Sequence, residues 1–174
     1  MSKRRAVINS IADVEDIRSQ VLSRAASTSD YLRNFVGEPF ELLRALRFQK
    51  NGRDPLTGEP SNVIEQLNQT FTILVSLRAV ERLLQMHPNA GGFRLALATS
   101  SGRDIESLTP DLVAAEVFAA THPGSNKKLQ KDTGRLAKDL SRFRYVFFAA
   151  PGYASGRHGI LETTPGVEVH CVEV

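Results

Sequence analysis

The sequence predicts an α/β fold in which a mixed β-sheet is flanked by helices and preceded by a helical N-terminal extension. Three observations carry this expectation. Apolar residues recur at helical spacing through the first half of the chain, short strand-like runs dominate the second half, and these runs are joined both by a tight turn and by an amphipathic helix. A tight turn makes antiparallel neighbours and a helical crossover makes parallel ones, so a sheet with both connections is mixed.

In chain order, Val14, Ile17, Val21 and Leu22 form an apolar row over about residues 12–26, and Leu42, Leu43 and Leu46 form another over about 39–50. Both read as helices too short to stand alone. The stretch NGRDPLTGEP (51–60) is dense in Gly and Pro and is expected to be a loop. From Asn62 to about His87, Ile64, Leu67, Phe71, Leu74, Leu77, Val80 and Leu84 fall at helical spacing until Pro88 and the glycine pair at 91–92. FRLALAT (93–99) alternates as a strand does, GRDIES (102–107) is short and extended, and LVAAEVFAA (112–120) is the continuous apolar run of a strand covered on both faces. Thr109, Pro110 and Asp111 supply the turn between the last two. NKKLQKDTGRLAKDLSRF (126–143) sets Leu129, Leu136, Leu140 and Phe143 on one face of an amphipathic helix that Gly134 interrupts. RYVFFAAP (144–151) is a buried strand, PGYASGRHG (151–159) a loop and VEVHCVEV (167–174) a closing strand of period two. The chain therefore reads as a single domain over 1–174, with a helical extension at 1–60 and an α/β core at 61–174.

Composition narrows the class. The 174 residues are 41% hydrophobic and 24% charged, as in an ordinary globular protein with one core. No membrane-spanning run is present, and acidic Asp13, Glu15 and Asp16 follow the basic start before any apolar stretch of signal-peptide length, so a cytoplasmic protein without membrane contact is expected. The single cysteine, Cys171, has no internal disulfide partner and reads as a small buried thiol in a strand. A net charge of +3 favours a polyanionic partner only slightly.

Two carboxylates stand out. Asp104 and Glu116 interrupt runs otherwise suited to burial, where a charge costs several kcal/mol unless it is compensated. A turn centred on Pro110 pairs residues equidistant from it and so sets Asp104 directly across from Glu116, with β-carbons about 4.5–5.5 Å apart on one face. A slip of one residue would separate them. A divalent cation held by both, a proton shared between them, or Arg103 folding back would each relieve the repulsion, and structural carboxylates held by lysines or backbone amides are the plainer alternative.

The order α, β, β, β, α, β, with Asp104 at the start of the second strand and Glu116 inside the third, resembles the PD-(D/E)XK superfamily with its restriction-endonuclease-like core, over roughly residues 62–174. That resemblance implies a Mg²⁺-dependent (or Mn²⁺-dependent) endonuclease that hydrolyses phosphodiester bonds of double-stranded DNA, acting as a homodimer. It implies Asp104 and Glu116 as metal ligands and catalytic residues, with the backbone carbonyl of Val117 completing the site and Glu65 of the first core helix as a further ligand. The sequence departs from the motif in having Phe118 where the lysine belongs and Arg103 where a proline precedes the Asp. The replacement cation is then Lys128 or Lys131 at the start of the next helix, with Lys128 better placed. If no cation substitutes, the alternative is a catalytically impaired nuclease-fold protein that binds DNA or another protein. An unrelated mixed α/β fold with salt-bridged carboxylates is a third reading.

The remaining signals have two readings each. Glu65 also completes a capping box with Asn62, and Gln69 lies one turn on. Lys131, Arg135, Lys138 and Arg142 form a basic row suited to tracking phosphates together with Arg103, or a solvated helix face beside Asp132 and Asp139. Arg44, Arg47, Lys50 and Arg53 end the helical extension, where they suit either a nucleic-acid groove or a helix C-terminus. His87, His122, His158 and His170 lack zinc-site spacing, PGYASGRHG lacks the P-loop lysine, and Ser100 and Ser101 have no visible partnered base.

Overall fold

A computed structural model describes residues 5–96 and 102–174. Strands β1 (Arg5–Ile8), β4 (Phe93–Ala96), β5 (Ile105–Ser107), β6 (Val113–Ala119), β7 (Phe143–Ala149), β8 (Gly156–Arg157) and β9 (Glu168–Cys171) form one sheet, and β2 (Gly52–Arg53) pairs with β3 (Pro60–Ser61). The helices are α1 (Ile11–Arg33), α2 (Pro39–Phe48), α3 (Val63–Met86) and α4 (Lys128–Leu136). Among the described residues no helix is long and apolar enough to cross a membrane. The backbone groups into two compact units, Met1–Val14 with Thr72–Val174, and Glu15–Phe71.

The larger unit holds the seven-stranded sheet in the order β1-β4-β5-β6-β7-β9-β8. Neighbours from β1 to β6 are antiparallel, β6 to β7 and β7 to β9 are parallel, and β8 runs antiparallel to β9. The sheet is thus mixed, as the two kinds of connection require. β6, flanked on both sides, is buried along nearly its whole length. On one of its faces Ala114 and Phe118 join Val146, Phe148, Val169, Cys171 and Leu136 of α4 in a single apolar cluster. The opposite face carries Phe93, Leu95, Ile105 and Phe147, all fully buried.

Three features of this unit differ from the sequence reading. The first fifty residues are not all helical, because RAVI forms the edge strand β1 against β4. Four residues are too few to display a period, and the pairing partner lies far along the chain. Within PGYASGRHG, the two residues of β8 extend the other edge. The helix expected over 126–143 is shorter: Asn126 and Lys127 take left-handed backbone angles before it, and it ends at Leu136. Asp139 terminates the segment by accepting the Ser141 N–H at 2.8 Å and Arg103 Nε at 2.6 Å, which leaves Leu140 85% exposed instead of on the core face. The last residues of FRLALAT, 97–99, and with them Ser100 and Ser101, lie outside the described residues.

The smaller unit is assembled around Gln66. Its buried amide accepts from Thr28 Oγ1 at 2.6 Å and from the Arg53 N–H at 2.7 Å, and donates to the Arg24 carbonyl at 3.1 Å, which ties α1, β2 and α3 together. The expected loop 51–60 is a hairpin whose turn is built by Asp54. Its Oδ1 accepts the Leu56 and Thr57 N–H groups at 2.9 and 2.7 Å, and Gly58 supplies the left-handed residue at φ +73°.

Gly134 lies within α4, is exposed, and has no neighbour within 4 Å of the position a β-carbon would take. Gly134→Ala should therefore stabilise the protein by about 0.5–1 kcal/mol, through lower unfolded-chain entropy and better helix propensity. Thermal unfolding should show a rise of roughly 1–4 °C; an unchanged or lower midpoint would mean that α4 needs the glycine.

Candidate functional site

The hairpin β5–β6 pairs Ile105 with Ala115 and Glu106 with Ala114, the register expected from a turn at Pro110. One residue further along, the same register sets Asp104 across from Glu116, close enough for the two carboxyls to act on one another. Asp104 is held from both sides of its own backbone position. Its carbonyl accepts the Ala96 N–H at 2.8 Å and its Oδ2 accepts the Val117 N–H at 3.0 Å. Glu116 is only 3% exposed. Burial, then the hydrogen bond and charge of Asp104, push the Glu116 carboxyl up to about 9, against the opposing pull of Arg135. Burial and the neighbouring Asp104 thus favour the protonated form of Glu116.

α4 supplies the rest of the site. Lys128, Asp132 and Arg135 are spaced to lie along one side of the helix. Arg135 Nη2 donates to Glu116 Oε2 at 3.0 Å and also to Asp132 Oδ1, and Lys128 Nζ reaches the same Asp132 oxygen at 3.0 Å. Asp132 is fully buried, and its Oδ2 has no hydrogen-bond partner among the described residues. Lys128 and Arg135 keep 39% and 52% of their side chains exposed, so cations form the solvent side of the site and carboxylates its floor.

The candidates from the sequence divide accordingly. Asp104 and Glu116 meet, and Val117 adjoins them through its N–H. Phe118, in the position of the motif lysine, is a core residue 5.9 Å from the Phe148 ring and brings no charge. Lys128 contacts Asp132, whereas the α4 cation touching Glu116 is Arg135. Arg103 does not fold back onto the pair: it binds Asp139 at 2.6 Å, with Asp111 at 3.5 Å and Glu106 at 3.9 Å. Because α4 ends at Leu136, Lys131 and Arg135 lie on it but Lys138 and Arg142 do not, and the basic row is broken. Arg142 instead lies over the Phe143 ring at 5.1 Å. Glu65 belongs to the smaller unit, where its N–H is capped by Asn62 Oδ1 at 2.8 Å and its carboxylate accepts from Gln69 at 2.7 Å. His122 Nε2 faces the Tyr153 hydroxyl at 3.3 Å.

Sequence reasoning overlooked Asp132. It entered only as a counter-charge to the basic row, although its position one turn from Lys128 and next to the Leu129–Leu136 side of α4 already set it on the inward face. Comparison with models of known protein families, with curated proteins and with solved structures finds no match to this chain.

The elevated Glu116 carboxyl has a thermodynamic consequence. An unfolded chain releases this proton near the ordinary value of 4.5, while the native state keeps it to about 9. Between those values the native state binds more protons than the unfolded chain, so this group's contribution falls as pH rises, by at most about 1.4 kcal/mol per pH unit. Glu116→Gln keeps a donor for Asp104 and removes the titration. Its melting point should therefore gain on the parent protein progressively from pH 5 to pH 9, and parallel melting curves across that range would refute the elevated Glu116 carboxyl.

Proposed function

We propose that the protein is a Mg²⁺-dependent endonuclease of restriction-endonuclease type that hydrolyses phosphodiester bonds in double-stranded DNA. The observation that carries this reading is the meeting of Asp104 and Glu116 on one face of the sheet, two carboxyls from neighbouring strands that one cation could hold. The order α3, β4, β5, β6, α4, β7, antiparallel up to β6 and parallel beyond it, agrees with the αβββαβ core that the resemblance implies.

Among the described residues no group of three or more His, Cys, Asp or Glu side chains is gathered as a metal site, so a hard divalent ion would rest on the two facing carboxylates, Asp104 and Glu116, and on groups not supplied by a third acidic side chain. When bound, such an ion would polarise the scissile phosphate and lower the pKa of a water molecule. The chain's own residues do the rest. Val117 N–H fixes the Asp104 carboxylate, and Glu116 must surrender its proton before it can bind a cation, so metal affinity rises with pH. Arg135 and Lys128, already at the solvent side of the carboxylates, are the donors for a phosphate oxygen and replace the absent motif lysine. A symmetric homodimer would present two such sites to the two strands of a duplex.

The test is cleavage of plasmid DNA with Mg²⁺ or Mn²⁺ against an EDTA control. Asp104→Ala and Glu116→Ala should each lower the rate by on the order of 10²-fold or more, and Arg135→Ala should cost more than Lys128→Ala. Equal cleavage by the parent and both carboxylate variants would place the chemistry elsewhere. Duplex binding without cleavage in either metal would identify a binding module instead.

A further inference from the structure

At the start of β7, away from the carboxylate pair, the larger unit has a cavity of about 320 Å³, at the lower end of the size of small-ligand pockets. Its walls come from residues 142–145, from Arg157 and Glu162, and from the segment 164–168 that leads into β9. Most of its polar groups are already committed to one another. Arg157 holds Glu162 through two bonds of 2.7 and 2.8 Å and reaches Glu168 at 3.1 Å. Glu162 also accepts the Val169 N–H at 3.2 Å, Glu168 faces His170 Nε2 at 3.0 Å, and the Tyr145 hydroxyl pairs with His87 at 2.8 Å.

Arg142 and Arg144 are left over. Neither is paired with a carboxylate among the described residues. Arg142 is exposed and rests on the Phe143 ring, which positions a guanidinium without neutralising it. Arg144 reaches the carbonyls of Leu136 and Ala137 only at 3.5 and 3.4 Å, and its Nε is buried with no partner. Gly166, at φ +73°, makes room for this side chain, since a β-carbon there would collide with Nη2 of Arg144. A buried guanidinium nitrogen without an acceptor costs free energy, and an occupant bearing oxygens would recover it.

We propose that this cavity binds a phosphate-ester anion through Arg142 and Arg144. Two planar guanidinium forks match an anion with several acceptor oxygens and up to two negative charges, which is the chemistry of phosphate. The volume leaves room for the ester substituent. Its source is either a free nucleotide or a backbone phosphate of nucleic acid. The inference stands apart from hydrolysis at Asp104 and Glu116, and its test uses no metal.

The full chain in EDTA is titrated with inorganic phosphate, with adenosine monophosphate and with a fluorescent 20-base-pair duplex at several salt concentrations. The comparison is with Arg142→Gln/Arg144→Gln and with Arg142→Gln alone, the latter removing an exposed side chain that the fold does not need. Saturable phosphate binding should weaken at least tenfold in the double variant and severalfold in the single one. A parallel loss of nucleotide binding with the duplex unaffected assigns the cavity to a free nucleotide. A salt slope for the duplex that falls by about 0.9 assigns it to one backbone phosphate. Absence of saturable binding of all three probes to the parent protein, or undiminished binding by the folded variants, overturns the proposal.

Discussion

The antiparallel register of β5 and β6 brings Asp104 and Glu116 together, and the surrounding residues answer the repulsion this creates. Two unit charges about 4 Å apart interact by roughly 4 kcal/mol at the dielectric typical of a protein surface, before any cost of desolvation. The chain does not avoid this by turning one side chain away, because the alternation of a strand leaves no such freedom once the register is set. It offsets the repulsion with the Val117 N–H on Asp104 and the Arg135 guanidinium on Glu116, while burial favours the protonated form of Glu116.

α4 is where the sheet's problem and its compensation meet. Its apolar side, through Leu136, joins the cluster over β6, β7 and β9, and that packing fixes where Lys128, Asp132 and Arg135 stand. Asp132 is a second buried carboxylate, tolerated because two cations share one of its oxygens, while the other oxygen remains unpaired among the described residues. Groups of this kind are destabilising in themselves, and they concentrate where chemistry is done. The same helix ends where Asp139 captures Arg103, which removes Arg103 from the carboxylate pair and commits it to structure.

The distribution of arginines gives the small net charge of +3 its meaning. Arg5 and Arg94 are bound to Glu106, Arg103 to Asp139, and Arg157 to Glu162 and Glu168, so most of the sheet's cations are internally balanced. Arg142 and Arg144, at one end of β7, have no carboxylate partner among the described residues, whereas Arg135 and Lys128 are paired with Glu116 and Asp132. A modest overall charge can thus hide a local pair of unmatched cations.

By itself the sequence determined the mixed sheet, the succession from α3 to β7 and the meeting of Asp104 with Glu116, because these follow from local quantities: periodicity, one short turn and the two-residue repeat of a strand. It did not reveal β1 or β8, whose few residues become strands only through partners distant in the chain. Nor did it reveal the end of α4, which depends on a side-chain capture by Asp139 that no propensity encodes. The choice of Arg135 over Lys128 at Glu116, the burial of Asp132 and the pairing that leaves Arg142 and Arg144 unmatched were decided by tertiary structure alone. Which cation reaches which carboxylate depends on how helices and strands pack across space, and spacing along one element carries no record of that.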